Sequence, residues 1–154
     1  MKKVVFVCSS GGHLSEMLKL EQLFNEYEYI LVTEKTDVTE KMKEKYNMTF
    51  FKYGPNKNIV KYIWAIIYNI LVCLNVIIKF KPNTVISTGA QVGGIMCLFA
   101  KLFGKKVIYI ESLAKVDSLS TTGKNVYRFA DKFYVQWESL AQKYDKAEYI
   151  GRLM

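Results

Sequence analysis

Histidine and cysteine are scarce in this chain. Cys8, Cys73 and Cys97 are odd in number, sit in apolar surroundings and form no CxxC or Cys/His cluster. That excludes a disulfide framework and a clustered metal site, and it points to a reducing compartment. The cysteines read as core packing. The usual nucleotide signatures are missing as well: Ser9-Ser10-Gly11-Gly12-His13 is not GxGxxG, and Gly123-Lys124 lacks the upstream glycine and the following Ser or Thr of a P-loop. An oxidoreductase or NTPase is therefore poorly supported. No finger, RNP-type or helix-turn-helix signature appears, and the basic residues are spread along the chain, so nucleic acid is not an expected partner. The first apolar run is about six residues long and leads into a glycine turn instead of a cleavage site, so the chain is expected to stay cytoplasmic.

What is present is an unusual pairing of charge and hydrophobicity. Twenty-two Lys and Arg outweigh 14 acidic residues, a net charge of +8, yet 51% of the chain is hydrophobic. A basic and apolar chain suits an anionic membrane surface or a phosphate-bearing substrate better than a duplex. Its 154 residues fit one domain, able to bury roughly 70% of the surface of the unfolded chain.

Apolar runs near 3–8, 28–33, 49–53, 83–88, 105–111, 131–136 and 147–150 read as strands, alternating with helical patterns near 13–25, 37–46, 59–80, 93–103 and 138–144. This alternation predicts a Rossmann-like, doubly wound parallel α/β sheet whose right-handed crossovers bring the loops after the strands to one edge. Ligands bind at that edge. Four segments should meet there: Ser9 to His13, Ser87 to Gly94, Glu111 to Lys115, and Gln136-Trp137-Glu138.

The first of these carries the strongest signal. A strand, the turn Ser10-Gly11-Gly12 and a helix start bearing the lone His13 form the arrangement by which backbone N–H groups and a helix amino terminus approach a phosphate or a sugar. The alternative is a plain tight turn between strand and helix. Glu111 ends the apolar strand Val107-Ile108-Tyr109-Ile110 and should emerge at the ligand edge.

From Ile59 to Ile78 the chain is almost wholly apolar, interrupted by Lys61, Asn69 and Asn75 and flanked by Lys57, Lys79 and Lys81. At roughly 100° per residue, Lys61, Tyr62, Tyr68, Asn69 and Asn75 fall on one side, with Ile63, Trp64, Ile66, Ile67, Ile70, Leu71, Leu74, Ile77 and Ile78 on the other. Either the apolar face packs on the sheet or part of the helix lies in a membrane surface. Its richness in Ile, Trp and Tyr, with lysines at both ends, favours in-plane contact through Ile63, Trp64, Ile67, Ile70, Leu71, Leu74 and Ile78. A span is disfavoured because the next strand must return to the same sheet.

Several of these motifs, in fixed order, resemble a family. Ser10-Gly11-Gly12-His13 with Glu16-Met17-Leu18, Ser87-Thr88-Gly89, Glu111-Ser112 through Ala114-Lys115-Val116, Ser118-Leu119-Ser120, Thr122-Gly123-Lys124, Tyr127, Ala130-Asp131 and Val135-Gln136-Trp137 are similar to the membrane subunit of the two-part N-acetylglucosaminyltransferase of dolichol-linked oligosaccharide synthesis. Similar subunits occur in bacterial capsule and exopolysaccharide clusters. The resemblance runs nearly end to end. It implies the acceptor-side, amino-terminal half of a GT-B glycosyltransferase across 1–154, and a more distant likeness to the acceptor domain of the peptidoglycan lipid-linked N-acetylglucosaminyltransferase. The eukaryotic subunits carry an amino-terminal membrane anchor, whereas this chain opens on its first strand, which makes the helix near 59–80 the candidate anchor.

The same resemblance implies partners and roles. A separate donor-binding glycosyltransferase subunit would hold the UDP-sugar, with no cofactor tightly bound here. The acceptor would be a polyprenyl- or dolichyl-pyrophosphate-linked saccharide, and membrane lipid would hold the chain, peripheral or monotopic, on the cytoplasmic face. His13 becomes the candidate base or orienting group, and Glu111 a residue that orients a sugar hydroxyl or supports His13. Ser10, Gly11, Gly12, Thr88, Gly89 and Lys115 would receive the acceptor and its pyrophosphate. Gly93 and Gly94 either add a second wall or serve helix packing alone. Gln136 and Trp137 would face the partner, with a core role for the tryptophan equally open. A self-sufficient small glycosyltransferase, a sugar-nucleotide enzyme and a non-enzymatic membrane scaffold are the competing readings.

Overall fold

A computed structural model describes residues 1–53 and 59–153; Lys57 lies outside them. The chain runs β1 (Lys3–Cys8), α1 (Gly12–Leu18), a 3-10 turn (Glu21–Asn25), β2 (Glu28–Glu34), α2 (Asp37–Met42) and β3 (Met48–Phe51). It continues through α3 (Ile59–Asn75), a π turn (Val76–Phe80), β4 (Thr84–Gly89), α4 (Gln91–Leu102), β5 (Lys106–Ile110), α5 (Thr121–Val126), β6 (Lys132–Val135), α6 (Glu138–Lys143) and β7 (Ala147–Tyr149). All seven strands pair in parallel in the order β3-β2-β1-β4-β5-β6-β7. The strand order reverses between β1 and β4, and the crevice at such a switch point is where open α/β sheets take ligands.

Successive side chains of a strand point to opposite faces, so β1 feeds two cores. Val5 and Val7 join Val85, Val107, Met96 and Val135 on the side of α3 to α6. Val4, Phe6 and Cys8 join Leu14, Met17, Phe24 and Leu31 beneath α1 and the 3-10 turn. The three cysteines are buried free thiols, and burial pushes each of them up to about 12.

Two local features depart from the sequence reading. The short helix α5 was not anticipated; Ser120 caps it, its hydroxyl accepting from Gly123 N at 2.9 Å. In α3 the polar and apolar sides do not divide as the helical projection suggests. The stripe turned to the domain is Ala65, Asn69 and Cys73. Asn69 Oδ1 accepts from Lys52 N at 2.8 Å and its Nδ2 donates to Lys52 O at 3.0 Å, closing the backbone just after β3. Trp64 (65% exposed), Leu71 (60%), Ile78 (55%), Ile63 (49%) and Ile67 (43%) face outward. Ile70 and Leu74 are half-buried at the margin. Ile59–Phe80 has the length and composition of a membrane-crossing helix, with mean hydropathy 2.1 and 28% of its most apolar stretch buried.

Candidate functional site

Two glycine loops meet at the switch point. Ser9 N donates to Gly89 O at 2.8 Å, and Ala90 N to Ser9 Oγ at 3.3 Å, so the segments after β1 and β4 are stitched together. Across this seam His13 Nδ1 lies 2.7 Å from the carbonyl oxygen of Thr88, and Thr88 Oγ1 donates to His13 O at 2.8 Å. A carbonyl only accepts, so Nδ1 carries the proton and the neutral ring keeps its lone pair on Nε2. Thr88 is fully buried, which fixes the ring by a rigid strand end.

Gly89 is required twice over. Its φ is +99°, and a Cβ there would lie 3.0 Å from His13 Cε1 and 3.2 Å from the Tyr109 hydroxyl. On the other side, Gly11 turns the chain at φ +80°, and a Cβ on Gly11 or Gly12 would meet nothing within 4 Å. Both are exposed, so the backbone beside His13 is open to a ligand.

Other sequence-predicted residues are placed differently. Gly93 is a packing glycine: a Cβ would come 2.3 Å from Ser87 Oγ, because α4 lies hard against β4. Gly94 plays the same part against α5, where a Cβ would come 2.6 Å from Thr122 Cγ2. Neither forms a second wall. Ser10 presents no free donors, since its N–H and hydroxyl both go to Glu34 Oε2, at 3.0 and 2.9 Å.

Glu111 does not emerge at an open edge. It is 1% exposed, with Oε1 accepting from Ser112 N at 3.0 Å and Oε2 from Ser120 N and Oγ at 2.9 and 3.1 Å. It clasps the two ends of the loop 112–120, and Gly123 leaves the room, since a Cβ there would sit 1.9 Å from Oε2. Lys115 is exposed on that loop. Gln136 is 1% exposed and inward-facing; its Nε2 donates to Glu111 O at 3.0 Å and its Oε1 accepts from Leu153 N at 2.7 Å. No partner can reach it there. Trp137 is half-buried, donating from Nε1 to Leu113 O at 2.7 Å, with the Arg152 guanidinium 4.0 Å from its ring centre.

Two carboxylates at this edge escaped the sequence reading of the site. Glu16, one turn along α1 from His13, accepts from Ser112 Oγ (2.9 Å), Leu113 N (3.2 Å) and Gln136 Nε2 (3.2 Å), tying α1 to the loop after β5. Its only signal was its place in the motif beginning at Ser10. Glu34 ends β2, and the strand-end logic applied to Glu111 would have found it. Among the described residues no group of three or more His, Cys, Asp or Glu is placed to hold a metal ion.

Comparison with known proteins follows the same outline. The family model described as "Oligosaccharide biosynthesis protein Alg14 like" matches residues 4–153. A UDP-N-acetylglucosamine transferase subunit ALG14 of Yarrowia lipolytica is 31% identical over 175 residues, covering 99% of this chain and 81% of its own length. Its Schizosaccharomyces pombe namesake is 33% identical, with coverages of 97% and 82%. Among solved structures, Acinetobacter baumannii MurG superposes with a TM-score of 0.74 at 18% identity, over 90% of this chain and 43% of that one. UDP-N-acetylglucosamine 2-epimerase of Rickettsia bellii gives 0.72 at 15% identity, over 100% and 46%. The chain spans less than half the length of these solved structures, and the likeness is one of fold: a GT-B half.

Proposed function

The chain belongs to the Alg14-like family of oligosaccharide biosynthesis proteins, and from that premise we propose that it is the acceptor-binding, membrane-associated subunit of a heteromeric glycosyltransferase. The reaction moves a sugar from a UDP-sugar to a lipid-pyrophosphate-linked saccharide in capsule or exopolysaccharide synthesis. A separate donor-binding subunit supplies the other wall of the cleft and is recruited and activated by this one. The relatives' name, which makes each of them a transferase subunit, supports the division of labour.

The observation that carries the reading is the His13–Thr88 clasp at the switch point, which commits Nδ1 to a carbonyl and leaves Nε2 as the ring's remaining nitrogen, next in the chain to the exposed glycines Gly11 and Gly12. An acceptor hydroxyl at Nε2 gives up its proton there as its oxygen bonds to the anomeric carbon of the donor. The bond from that carbon to the UDP oxygen breaks, and UDP leaves on the partner's side. Thr88 holds the tautomer that makes His13 an acceptor, so the group is set before the substrate arrives. The outward apolar face of α3 supports membrane attachment.

Reconstitution tests this. The purified chain alone should transfer no sugar to a short-chain lipid-pyrophosphate saccharide, and activity should appear when its donor-binding partner is added. Sustained turnover of a UDP-sugar by the chain alone would remove the two-subunit reading.

A further inference from the structure

Beside the His13 clasp lies a second polar group that the mechanism above leaves unused. Ser10 gives both its donors to one oxygen of Glu34. The other, Oε1, accepts no hydrogen bond among the described residues. A cavity of about 40 Å³ is lined by Glu34 together with Lys52, Tyr62, Asn69 and Gln91. Gln91 Nε2 donates to the Tyr62 hydroxyl oxygen, which leaves the Tyr62 proton and the Gln91 amide oxygen without a partner among the described residues. Asn69 spends one donor and one acceptor on the backbone of Lys52.

The cavity thus offers a charged acceptor in Glu34 and a donor in Tyr62, the pair that satisfies one alcohol as both donor and acceptor. Its volume exceeds the ~15 Å³ that a single water needs and is far too small for a sugar ring. It fits one hydroxyl arm. Three residue steps lead from Ser10 to His13, a reach of at most about 10 Å, so Glu34 and His13 flank the exposed glycines Gly11 and Gly12.

We propose that Glu34, held by Ser10 and paired with Tyr62 and Gln91, is a saccharide-recognition subsite that reads one hydroxyl of the acceptor sugar and orients the ring so that another hydroxyl meets His13. The proposal rests on the acceptor-binding reading and goes further by naming the group that distinguishes a glycosylated lipid pyrophosphate from a bare one. Glu34 acts here as a binding and positioning residue.

The test compares two probes on the full chain in detergent by titration calorimetry: farnesyl pyrophosphate, and farnesyl pyrophosphate carrying one N-acetylhexosamine. The sugar-bearing probe should bind tighter, by roughly 10- to 100-fold for a hydrogen bond to a charged group. Glu34→Gln retains a carbonyl oxygen for Ser10 but turns the free acceptor into a donor. It should remove most of the difference between probes without weakening the bare one. Tyr62→Phe should remove a smaller part, and an unchanged melting temperature in both variants identifies the loss as recognition. If wild type binds the two probes equally, or Glu34→Gln keeps the wild-type ratio within about two-fold, the subsite is overturned while acceptor binding stands. If wild type binds neither probe, the acceptor-binding reading itself fails.

Discussion

Replacing Ile67 and Leu71 together by Gln should release the chain from a bilayer without unfolding it. Ile67 is 43% exposed and Leu71 60%, so about half of each side chain is available to lipid and half already packs on its own domain. Full burial of a large aliphatic side chain is worth roughly 1.5–3 kcal/mol; lipid contact by the exposed halves of this pair is therefore worth about 1.5–3 kcal/mol in total. That is a 10- to 100-fold change in partition. With Ile63 and Trp64 included, the outward face offers about 3–6 kcal/mol, against about 1 kcal/mol for each lysine close to an anionic surface. Apolar contact therefore dominates, and salt should weaken attachment without abolishing it. Gln keeps good helix propensity and adds no charge, so the helix remains. The assay is liposome flotation at low salt and at about 0.5 M, where surface charges are screened within a few ångströms, alongside thermal melts. Wild type should float under both conditions and the double variant only weakly, with little change in melting. Complete release of wild type by salt would refute the apolar mechanism, and a large drop in melting temperature would mean that this face is core.

Three further outcomes follow from the site and the core. His13→Ala should lower turnover of the assembled enzyme by about 10²- to 10⁴-fold while partner binding, read by co-purification, is unchanged; activity near wild type would leave His13 structural. Gly89→Ala forces a Cβ into a φ of +99° and to 3.0 Å from His13 Cε1, so it should cost ~1–3 kcal/mol of stability and displace the imidazole, read as a lowered melting temperature and a broadened or shifted His13 ring signal by NMR. The thiols, raised to about 12 by burial, hold their protons at neutral and mildly alkaline pH in the folded state. The native protein should resist iodoacetamide at about pH 8 and react only once unfolded; rapid native alkylation would contradict the packing of Cys8, Cys73 and Cys97.

The seven strands and their parallel arrangement were readable because each is a short apolar run and five of them are followed by a helix-period segment, a rhythm that leaves little topological choice. The helix α5 was missed because it spans Thr121–Val126, too short for a periodic signal, and has a glycine inside it. Glycine letters mark the turns beside His13 at Gly11, Gly12 and Gly89, whereas of the two readings open for Gly93 and Gly94 the structure shows close packing. Close approach to a ligand and close approach to Ser87 or Thr122 demand the same residue, and only the neighbour in space tells them apart. The two strand-end glutamates make the same point. Glu111 is captured by Ser120, nine residues onward, whereas Glu34 is held on one side only, by Ser10. Nothing in either strand distinguishes them. Helical projection grouped Asn69 with Lys61, Tyr62, Tyr68 and Asn75 on one polar side, yet Asn69 alone of these turns fully inward and its amide is spent on the backbone of Lys52.

That inversion determines how α3 can meet a membrane. Seventeen residues of α-helix reach about 26 Å, and the π turn extends the element across Ile59–Phe80, close to the roughly 30 Å of a hydrocarbon core. Length alone therefore allows a crossing. The flanking strands do not, because β3 and β4 belong to one sheet, and Ala65, Asn69, Cys73, Val76 and Ile77 are buried along the helix. Crossing would strip that stripe from the sheet and leave the Asn69 amide and the Lys52 backbone groups it satisfies to find new partners in lipid, at several kcal/mol for each group left unmade. Lying on its side, the helix keeps these bonds and offers lipid an outward face that includes Ile63, Trp64, Ile67, Leu71 and Ile78. Its amino-terminal half, where three of those five sit, starts from the edge at which β3 ends, the edge that also carries His13 and Glu34. In the proposed role, a helix docked in plane at this edge would hold the His13 imidazole close to the headgroups, where the first sugar of a pyrophosphate-linked acceptor would emerge.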